Sequence, residues 1–444
     1  MTDLPTLGAS GLRAYSRALG VVGDNIANAQ TPGYARRSAQ ISEGPVASES
    51  FRYRNMLTPG GSLATGVARA VDQWRASDAN ASASDAGQSA ARLEWSVVGE
   101  SALDDGPGGI GQSITAIFNT ADRLTADPLS TTLRRQFIEG IDTAATAFRT
   151  AASRLQSVAT NIMEDTRITV AQVNTEAAAL QKVNSDLLAA KPASVEQAAL
   201  FDERDRLIGS IASDIAVDAS YDARGLATLT IAGSGGQVLV AQTDSTSLSV
   251  DFDAAELPSF ALANGAGFAP GSGRLAGLAQ AANQIAGQRS ALDTLADRFA
   301  NQLNAAHQAG FDASGTPGRA VLDPSGGASA LAALTLAPSE VAVADASSSN
   351  GNMVSFSRLR GADGAEAQWA QLVTDQAQAA ASARAQDAAA QTRRDIAFDA
   401  RDAVSAVDLD REAAELLRFQ QAYEGAARVI QVARETMQSI LNAV

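Results

Sequence analysis

The sequence predicts a mainly α protein with a smaller β part: N- and C-terminal helices paired as a coiled coil, a long helical-bundle middle domain, and an inserted small β domain. Three observations lead to this prediction. Apolar residues recur with helical spacing at both ends of the chain, and a longer helical repeat fills much of the first half. In one interior stretch the spacing changes to a period of two, which is typical of short β-strands.

The composition narrows the class of protein. The 444 residues are enough for several domains, because single cores stop growing at about 250–300 residues. The net charge of −15 argues against nucleic acid and anionic membranes as partners, and the absence of cysteine rules out disulfides and thiolate chemistry. No stretch has the roughly 20 apolar residues that span a bilayer, and Met1 to Ala18 lacks a secretory signal pattern. If the protein is exported, we expect another route.

The first predicted helix runs from about Leu4 to Ala29. It ends near Thr31, because Pro32 disfavours helical geometry in the residue before it, and Gly33 suits the positive φ of a turn. One face of this helix carries five large apolar residues that we predict to form a coiled-coil interface: Leu12, Tyr15, Leu19, Val22 and Ile26.

The interior begins with an extended loop or short hairpin over Asn55 to Gly66, and helical signals resume after Val71. A long helix follows Asp127-Pro128, and a second covers Ser194 to Ser213. The long helix has apolar residues at alternating steps of four and three, which indicates a coiled-coil seam: Phe137, Ile141, Ala144, Phe148, Ala151, Leu155, Val158 and Ile162.

Short strands are predicted after Val217, over 226–231, 237–240 and 248–252, with glycine-containing turns between them. Helix returns from Gly273 with Ile285, Leu292 and Phe299 seven residues apart. Loops and a few strands occupy Pro317 to Gly364. An alanine- and glutamine-rich helix then covers about 366–403, with a weak apolar stripe at Trp369, Leu372, Val373, Ile396 and Val404.

The last predicted helix has the strongest repeat in the chain. Two apolar positions per seven persist to Val444, which defines a helix that requires a partner helix. We predict its interface residues to be Leu409, Leu416, Phe419, Tyr423, Ile430, Met437 and Ile440. The predicted domains are a terminal coiled-coil domain (1–34 and 405–444), a helical middle domain (35–213, 273–310 and 365–404), a β-rich insertion (214–272) and a loop and short-strand outer region (311–364).

Two terminal stretches resemble known signatures. Residues 25–37 read Asn-Ile-Ala-Asn-Ala-Gln-Thr-Pro-Gly-Tyr-Ala-Arg-Arg, similar to the N-terminal motif of flagellar rod, hook and hook-associated proteins. Residues 407–423, continuing through 426–430, resemble the C-terminal motif of the same group, and 273–278, 295–304 and 309–312 resemble the middle of the hook-associated protein 1 family. The residues carrying the N-terminal motif are Asn25, Asn28, Thr31, Pro32, Gly33 and Tyr34.

The resemblance implies a structural subunit of the bacterial flagellum at the junction of hook and filament. Members of this family leave the cell unfolded through the flagellar type III apparatus and pair their terminal helices in the innermost tube, with β domains facing outward. The implied partners are the hook protein, the second hook–filament junction protein, further copies in a ring, and a cytoplasmic export chaperone at the C-terminal helix. The implied location is the extracellular flagellum.

No residue pattern indicates catalysis, a metal or a cofactor, and we predict a non-enzymatic protein. The single histidine, His307, is expected at a surface or helix-capping position. Gly233 to Gly236 is a turn between strands rather than a phosphate loop. The acidic pairs Asp104-Asp105, Asp202-Glu203 and Asp408/Asp410 are expected on helix ends or solvated faces, with Asp408 and Asp410 supporting the start of the last helix.

Three other functions compete with the junction subunit. A hook or rod subunit shares the terminal motifs, but the alanine-rich helical middle argues against it. An enzyme, for example a glycosidase using an acidic pair, would need a convergent set of His, Asp and Glu. A secreted coiled-coil adhesin or effector does not require heptads at both ends of its chain.

Overall fold

The computed structural model describes residues 3–43 and 61–443, and it confirms the predicted mainly α fold with a small β part. The helices are α1 (Asp3–Ala27), α2 (Gln73–Ala102), α3 (Ile110–Ala126), α4 (Thr131–Ala189), α5 (Val195–Asp214), α6 (Arg274–Gln308), α7 (Gly327–Ala330), α8 (Gly351–Phe356), α9 (Ala365–Ser405) and α10 (Leu409–Ala443). The strands are β1 (Arg37–Glu43), β2 (Ser62–Arg69), β3 (Val217–Tyr221), β4 (Ala227–Ile231), β5 (Val238–Ala241), β6 (Asp244–Ser245), β7 (Leu248–Phe252), β8 (Pro258–Leu262), β9 (Gly267–Phe268), β10 (Leu322–Asp323) and β11 (Ala332–Ala333).

Parts of two sequence predictions lie outside the described residues. The predicted loop or hairpin over 55–66 enters the structure only at Gly61, and its last residues belong to β2, which pairs antiparallel with β1. The seam position at Val444 is also outside the described range.

The helical core is built around α4, which has 59 residues and is about 90 Å long at 1.5 Å per residue. All eight residues of its predicted seam are buried, so that prediction is confirmed. Phe148 of this seam stacks on Phe299 of α6 with ring centroids 5.7 Å apart. Ile285, Leu292 and Phe299 of α6 are buried as predicted, because the α6 repeat faces the α4 repeat.

The α2–α9 pair is formed mainly by small residues. Trp369 and Gln376 begin a buried line that continues every seven residues through Ala383, Ala390 and Ala397. Ile396, predicted in the α9 stripe, is 64% exposed, so that assignment is wrong. Alanine is too weakly apolar to stand out in a periodicity count, yet it allows two helix axes to approach closely.

Gly277 marks a close approach of α6 to α2 and leads to a first prediction. A Cβ at Gly277 would lie well inside van der Waals contact with the carbonyl oxygen of Gln88, a backbone atom that cannot rotate away. We expect Gly277→Ala to lower the free energy of unfolding by about 1–3 kcal/mol, measured by urea denaturation. Gly287→Ala, on the same helix with no atom within 4 Å of the new Cβ, should instead stabilise by about 0.5–1 kcal/mol. Equal effects of the two changes would contradict this packing.

The β insertion lies against α4. It contains a four-stranded sheet, β3-β4-β5-β6, and a three-stranded sheet, β7-β8-β9, with neighbouring strands antiparallel. Asn184 of α4 donates to the Ala227 carbonyl at 2.9 Å and accepts from the Ala227 amide at 3.0 Å. Asn174 exchanges the same pair of bonds with Leu248, at 2.9 and 2.6 Å. Two asparagines on one helix therefore attach both sheets to the bundle.

The insertion leaves and re-enters the bundle beside a buried carboxyl group. Asp214, at the end of α5, is buried, and its Oδ2 has no hydrogen-bond partner among the described residues. Burial, with a smaller effect of the nearby Glu176 carboxylate, raises the pKa of Asp214 to about 6. Arg274, which could offset this charge, forms ion pairs with Asp165 at 2.7 Å and Glu94 at 3.2 Å.

We expect Asp214→Asn to stabilise the protein at pH 8 by on the order of 2 kcal/mol. A carboxyl whose folded pKa is raised contributes stability below its unfolded pKa and loses that contribution as the pH rises through about 6. The gain should therefore shrink when urea unfolding is repeated at pH 5. Asp218→Asn, on the exposed side of β3, is the control. A gain independent of pH would count against a buried ionised Asp214.

Residues 311–364 pack on the far end of the bundle from α1 and α10. Val341, Ala342 and Val343 are completely buried, and Phe356 packs edge-on against Phe137 at 5.7 Å. The prediction that His307 occupies a surface or capping position is wrong, because its side chain is fully buried at the end of α6. The fold of 311–364 over the end of α6 is a long-range contact that helix-end chemistry alone does not reveal.

Candidate assembly interface

The two terminal helices pack against each other in antiparallel orientation. The rings of Tyr15 and Phe419 are 6.5 Å apart between centroids, and a Cβ built on Gly8 would lie 2.5 Å from Cγ1 of Ile430. Residue numbers therefore rise on α10 as they fall on α1. This arrangement confirms the predicted pairing of the chain ends.

The deepest side of α1 consists of small and polar residues. Its buried members are Gly8, Gly11, Ala14, Ala18, Val21, Val22 and Asn25. Of the predicted interface residues, Val22 is among them, whereas Leu12, Tyr15 and Leu19 are half-buried on the flank and Ile26 is exposed. The reason is that α1 lies between α10 and the β1–β2 hairpin, and only small side chains fit where three elements meet.

On α10 the predicted residues are only partly covered. Leu416, Phe419 and Ile430 are half-buried, whereas the other predicted positions are exposed: Leu409, Tyr423, Met437 and Ile440. In the register set by Gly8 and Ile430, the start of α1 falls opposite Glu435. The last turns of α10 therefore extend past α1.

A buried polar cluster joins the two helices to the turn between α1 and β1. Asn25 is completely buried, and its Nδ2 donates to Glu412 Oε2 at 2.9 Å and to the Arg37 carbonyl at 2.8 Å. Its Oδ1 accepts from the Arg37 amide at 3.0 Å and from the Tyr34 hydroxyl at 2.9 Å. One asparagine side chain thus contacts α1, the turn, β1 and α10, with each hydrogen-bonding atom in use.

Glu412 is the α10 member of this cluster, and its side chain is completely buried. Its second carboxylate oxygen accepts from Arg36 Nε at 2.7 Å. The Arg36 backbone is itself held, because its amide donates to the Ser405 carbonyl at 2.8 Å and its carbonyl accepts from the Ala70 amide at 2.8 Å. The charge of Glu412 is therefore paired inside the protein rather than solvated.

A second group of charges attaches this cluster to the helical bundle. Arg37 donates to Asp202 of α5 at 2.6 Å, and Arg69 of β2 bridges Asp202 and Asp205 at 2.8 Å each. The expectation that Asp202 lies on a solvated face is wrong, since its side chain is only 13% exposed. Asp408, by contrast, accepts from the amides of Asp410 and Arg411 at the start of α10, so its predicted capping role is confirmed.

The remaining residues of the N-terminal motif shape the turn. Asn28 Nδ2 donates to the Asp24 carbonyl at 2.9 Å, and Thr31 donates to Asn28 Oδ1 at 3.3 Å. Pro32 is exposed, and Gly33 has the positive φ, 80°, that the sequence predicts. Tyr34 is half-buried under the Arg37 guanidinium, and burial raises the pKa of its hydroxyl to about 12, so it stays a hydrogen-bond donor.

Sequence reasoning identified Asn25 and Tyr34 but missed Glu412, Arg36, Arg37 and Asp202. A signal was present: Glu412 lies among the aliphatic repeat of α10, and the two arginines follow the Tyr34 turn directly. Their partners lie 165 to 387 positions away in the chain, so only the folded structure reveals the pairs.

Comparison with known families identifies the chain. Residues 99–322 match the family model described as the flagellar hook-associated protein FlgK helical domain, which is half of the chain. The chain belongs to the FlgK family of flagellar hook-associated proteins. Residues 7–34 of this FlgK family member match the flagella basal body rod protein model, and residues 403–443 match the C-terminal model of the basal body rod FlgEFG proteins.

Two named relatives agree with this placement. The chain is 24% identical over 499 aligned residues to flagellar hook-associated protein 1 of Bacillus subtilis strain 168, covering 98% of this chain and 96% of that protein. It is 25% identical over 337 residues to the protein of the same name from Salmonella typhimurium, covering 72% of this chain and 59% of that one. It also resembles the solved flagellar hook junction protein FlgK from Burkholderia pseudomallei, with 20% identity and a TM-score of 0.49, over 56% of this chain and 46% of that one.

In this FlgK family member the polar cluster connects both terminal family segments. Asn25 and Tyr34 lie in the N-terminal match, and Glu412 lies in the C-terminal match. The family is one of structural flagellar proteins. Across residues 3–43 and 61–443, no group of three or more His, Asp and Glu side chains is arranged to hold a metal ion. No helix within the described ranges combines the length and apolarity needed to cross a membrane.

Proposed function

We propose that this chain is a structural subunit of the junction between flagellar hook and filament, and that it assembles through α1 and α10. The observation that carries the proposal is the apolar surface of α10. Val432 is 58% exposed and Leu441 is 68% exposed, on a helix whose neighbour α1 already covers one face. Side chains of this kind are normally buried, so several of them exposed on one helix indicate an interaction surface.

The exposed apolar residues of α10 lie on both sides of the line of this helix that faces α1, and the last of them lie beyond the start of α1. With 3.6 residues per turn, Leu409, Tyr423 and Leu441 fall on one side, and Val429, Val432 and Ile440 fall on the other. A subunit in a ring has two lateral neighbours and needs a contact surface for each of them. The arrangement supports the self-assembly that the family resemblance implies.

Assembly would also stabilise the terminal helices. An isolated helix pair is marginal in water, because helix nucleation is unfavourable and an incomplete seam leaves apolar area exposed. Covering that area contributes about 25 cal/mol per Å², so several large side chains per subunit supply several kcal/mol before ordering entropy is subtracted. Folding of residues 1–34 and 405–444 as one assembly domain would then be coupled to joining the polymer.

The other parts of the proposal follow from the family. The subunit leaves the cell unfolded through the flagellar type III apparatus, a cytoplasmic chaperone holds α10 before export, and the hook protein and the second junction protein are the neighbours along the axis. Absence of cysteine is compatible with passage as an unfolded chain, since no disulfide has to form or break. Residues 35–213, 273–310 and 365–404 form the middle layer, and 214–272 and 311–364 the outer parts.

Deleting the gene in its host tests the proposal. We expect hooks of normal length without filaments, and filament protein released into the medium. Complementation with a chain lacking residues 409–444 should fail in the same way, whereas the full chain should restore filaments. Missing hooks would favour the alternative of a hook or rod subunit, and unaltered filaments would overturn a flagellar junction role.

A further inference from the structure

Outside the assembly interface, the structure fully buries the single histidine of the chain, His307. We propose that His307 is an acid-sensitive latch that holds residues 310–345 on the end of the helical bundle. We call residues 310–345 the cap segment. The inference concerns the isolated chain and stands apart from the proposed function.

The ring of His307 makes two different hydrogen bonds to the cap segment. Nδ1 lies 2.7 Å from the carbonyl oxygen of Arg319, which can only accept, so Nδ1 carries the proton. Nε2 lies 3.0 Å from the amide nitrogen of Ala342, which can only donate, so Nε2 must be unprotonated. The geometry thus requires the neutral imidazole, and protonation would place two N–H groups against each other at Ala342.

The bond to Ala342 lies at the centre of the contact between cap segment and bundle. Val341, Ala342 and Val343 are completely buried. Asn352 of α8 donates to the Ala342 carbonyl at 2.7 Å, and Arg134 of α4 donates to the Val341 carbonyl at 3.2 Å. The ends of the segment are joined by mutual backbone bonds between Phe311 and Ala344. His307 is the side chain in this group whose ordinary pKa lies near neutral pH.

The cap segment packs tightly against His307 at Gly318. Gly318 packs so closely on the His307 carbonyl that a Cβ there would overlap it. The Gly318 amide donates to the Gly310 carbonyl at 2.9 Å, which closes the loop over the end of α6. A protonated ring therefore has no room to turn toward solvent without displacing the segment.

The charged groups around the latch leave the ring without a counter-charge. Arg319 and Arg134 are both cations, and Arg319 pairs with Glu340 at 2.9 Å on the exposed side of the segment. Asp312 and Asp345 bind amides within their own turns, of Ser314 and Thr316 and of Ser347 and Ser348. Among the described residues, no carboxylate bonds to the His307 ring, so the surroundings oppose the imidazolium.

The pH window follows from these environments. Burial lowers the pKa of His307 below its usual value near 6.5. A group with a lowered folded pKa stabilises the fold above its unfolded pKa, and this stability is lost as the pH falls toward the folded pKa. Backbone hydrogen bonds lower the pKa values of Glu340 and Asp345, so these carboxylates stay ionised while His307 titrates. As the pH falls below about 6.5, His307 is the group that loosens the cap segment.

Hydrogen exchange measured by mass spectrometry on the full chain tests the latch. We expect peptides around Ala342 to lose protection by roughly tenfold for each pH unit below about 6.5, after correction for intrinsic exchange, while α4 peptides stay protected. His307→Gln keeps an acceptor for the Ala342 amide but does not titrate, and its protection should be independent of pH over this window. Asp312→Asn is the matched control, because it removes a carboxylate from the same segment and should retain the acid response.

A second measurement uses the unmodified chain, since its single histidine gives one unambiguous ring signal in proton NMR. We expect this signal to resist titration near pH 6.5 and to change only together with exposure of the cap segment. A ring that titrates normally while Ala342 stays protected would overturn the proposal. So would the same acid-induced loss of protection in the wild type and in His307→Gln.

Discussion

Replacing Glu412 by alanine is expected to separate α10 from α1 and to lower the stability of their pairing by about 3–5 kcal/mol. The change removes a completely buried carboxylate that accepts from Asn25 at 2.9 Å and from Arg36 at 2.7 Å. Both donors would remain in place without their partner, and a donor left unpaired inside a protein costs its full desolvation energy. Few single changes outside the apolar core should have a larger effect.

Hydrogen exchange of α1 and α10, compared with α4 in the same sample, measures this effect locally. Glu435→Ala is the matched control, because Glu435 is exposed on the same helix and, among the residues that the structure describes, its side chain hydrogen-bonds only to Gln431, one turn earlier, at 3.0 Å. We expect the control to change protection by less than a factor of about three, or roughly 0.5 kcal/mol. Equal protection of α10 in Glu412→Ala and the control would show that the polar cluster does not hold the helices together.

The double change Asn25→Leu with Glu412→Leu distinguishes two effects of the polar cluster: its contribution to stability and its control of the register between α1 and α10. Replacing a buried polar pair by apolar residues is often neutral for stability, whereas a buried polar group fixes the register of paired helices. We therefore expect the doubly changed chain to recover part of the lost helix content, since Asn25 no longer lacks an acceptor while Arg36 still does, and to pair α1 and α10 in more than one register. Cysteines introduced at Gly11 and Ala426, where a Cβ on Gly11 would lie 3.1 Å from the Ala426 Cβ, would report the native register by disulfide formation, without interference because the chain has no cysteine of its own.

Placing a charge on the exposed apolar surface of α10 is expected to abolish filament attachment while the isolated chain remains folded. Val432→Asp and Leu441→Asp lie on opposite sides of the line of α10 that faces α1, with Leu441 in the turns beyond the start of α1, and both residues are mostly exposed in the single chain. Their cost to monomer stability should stay within about 0.5 kcal/mol. In an assembled ring each aspartate would be buried without a partner, which costs several kcal/mol per subunit interface.

The measurements are circular dichroism of the purified chain and electron microscopy of cells carrying each variant. Gln431→Asp is the matched control: it introduces the same charge on the polar face of the same helix, and filaments should persist. Cells that keep normal filaments with both apolar changes would refute assembly through α10. If only one of the two changes had an effect, a single lateral surface would be in use.

Much of the fold could be predicted because it depends on the period of apolar residues along a helix or on local backbone geometry. The α4 seam from Phe137 to Ile162 is a repeat of mostly large apolar residues. Such a repeat predicts that this face of the helix is buried, whichever element packs against it. The stop of α1 before Pro32 and the positive φ of Gly33 depend only on local backbone geometry. The pairing of the ends followed from two apolar repeats that a single helix cannot bury.

Other features depended on which elements come together. The α2–α9 contact uses alanines such as Ala383 and Ala390, whose small size matters only once a second helix lies alongside. His307 ends a helix in the sequence, as a surface residue does, but the cap segment covers it. The most buried side of α1 is not the side that carries the large apolar residues, because β1 and β2 pack on this helix as well as α10.

The sequence by itself determined which long segments are helices, where the β insertion begins, and that both ends of the chain carry apolar repeats in need of partners, but it did not reveal the short helices α7 and α8. These properties rest on short-range geometry and on the period of apolar residues. Only the tertiary structure decided that Asn25 meets Glu412 and that Asp202 meets Arg37. Polar and charged side chains carry no periodic signal of their partners, and a hydrogen bond forms only where the fold brings donor and acceptor within about 3 Å of each other.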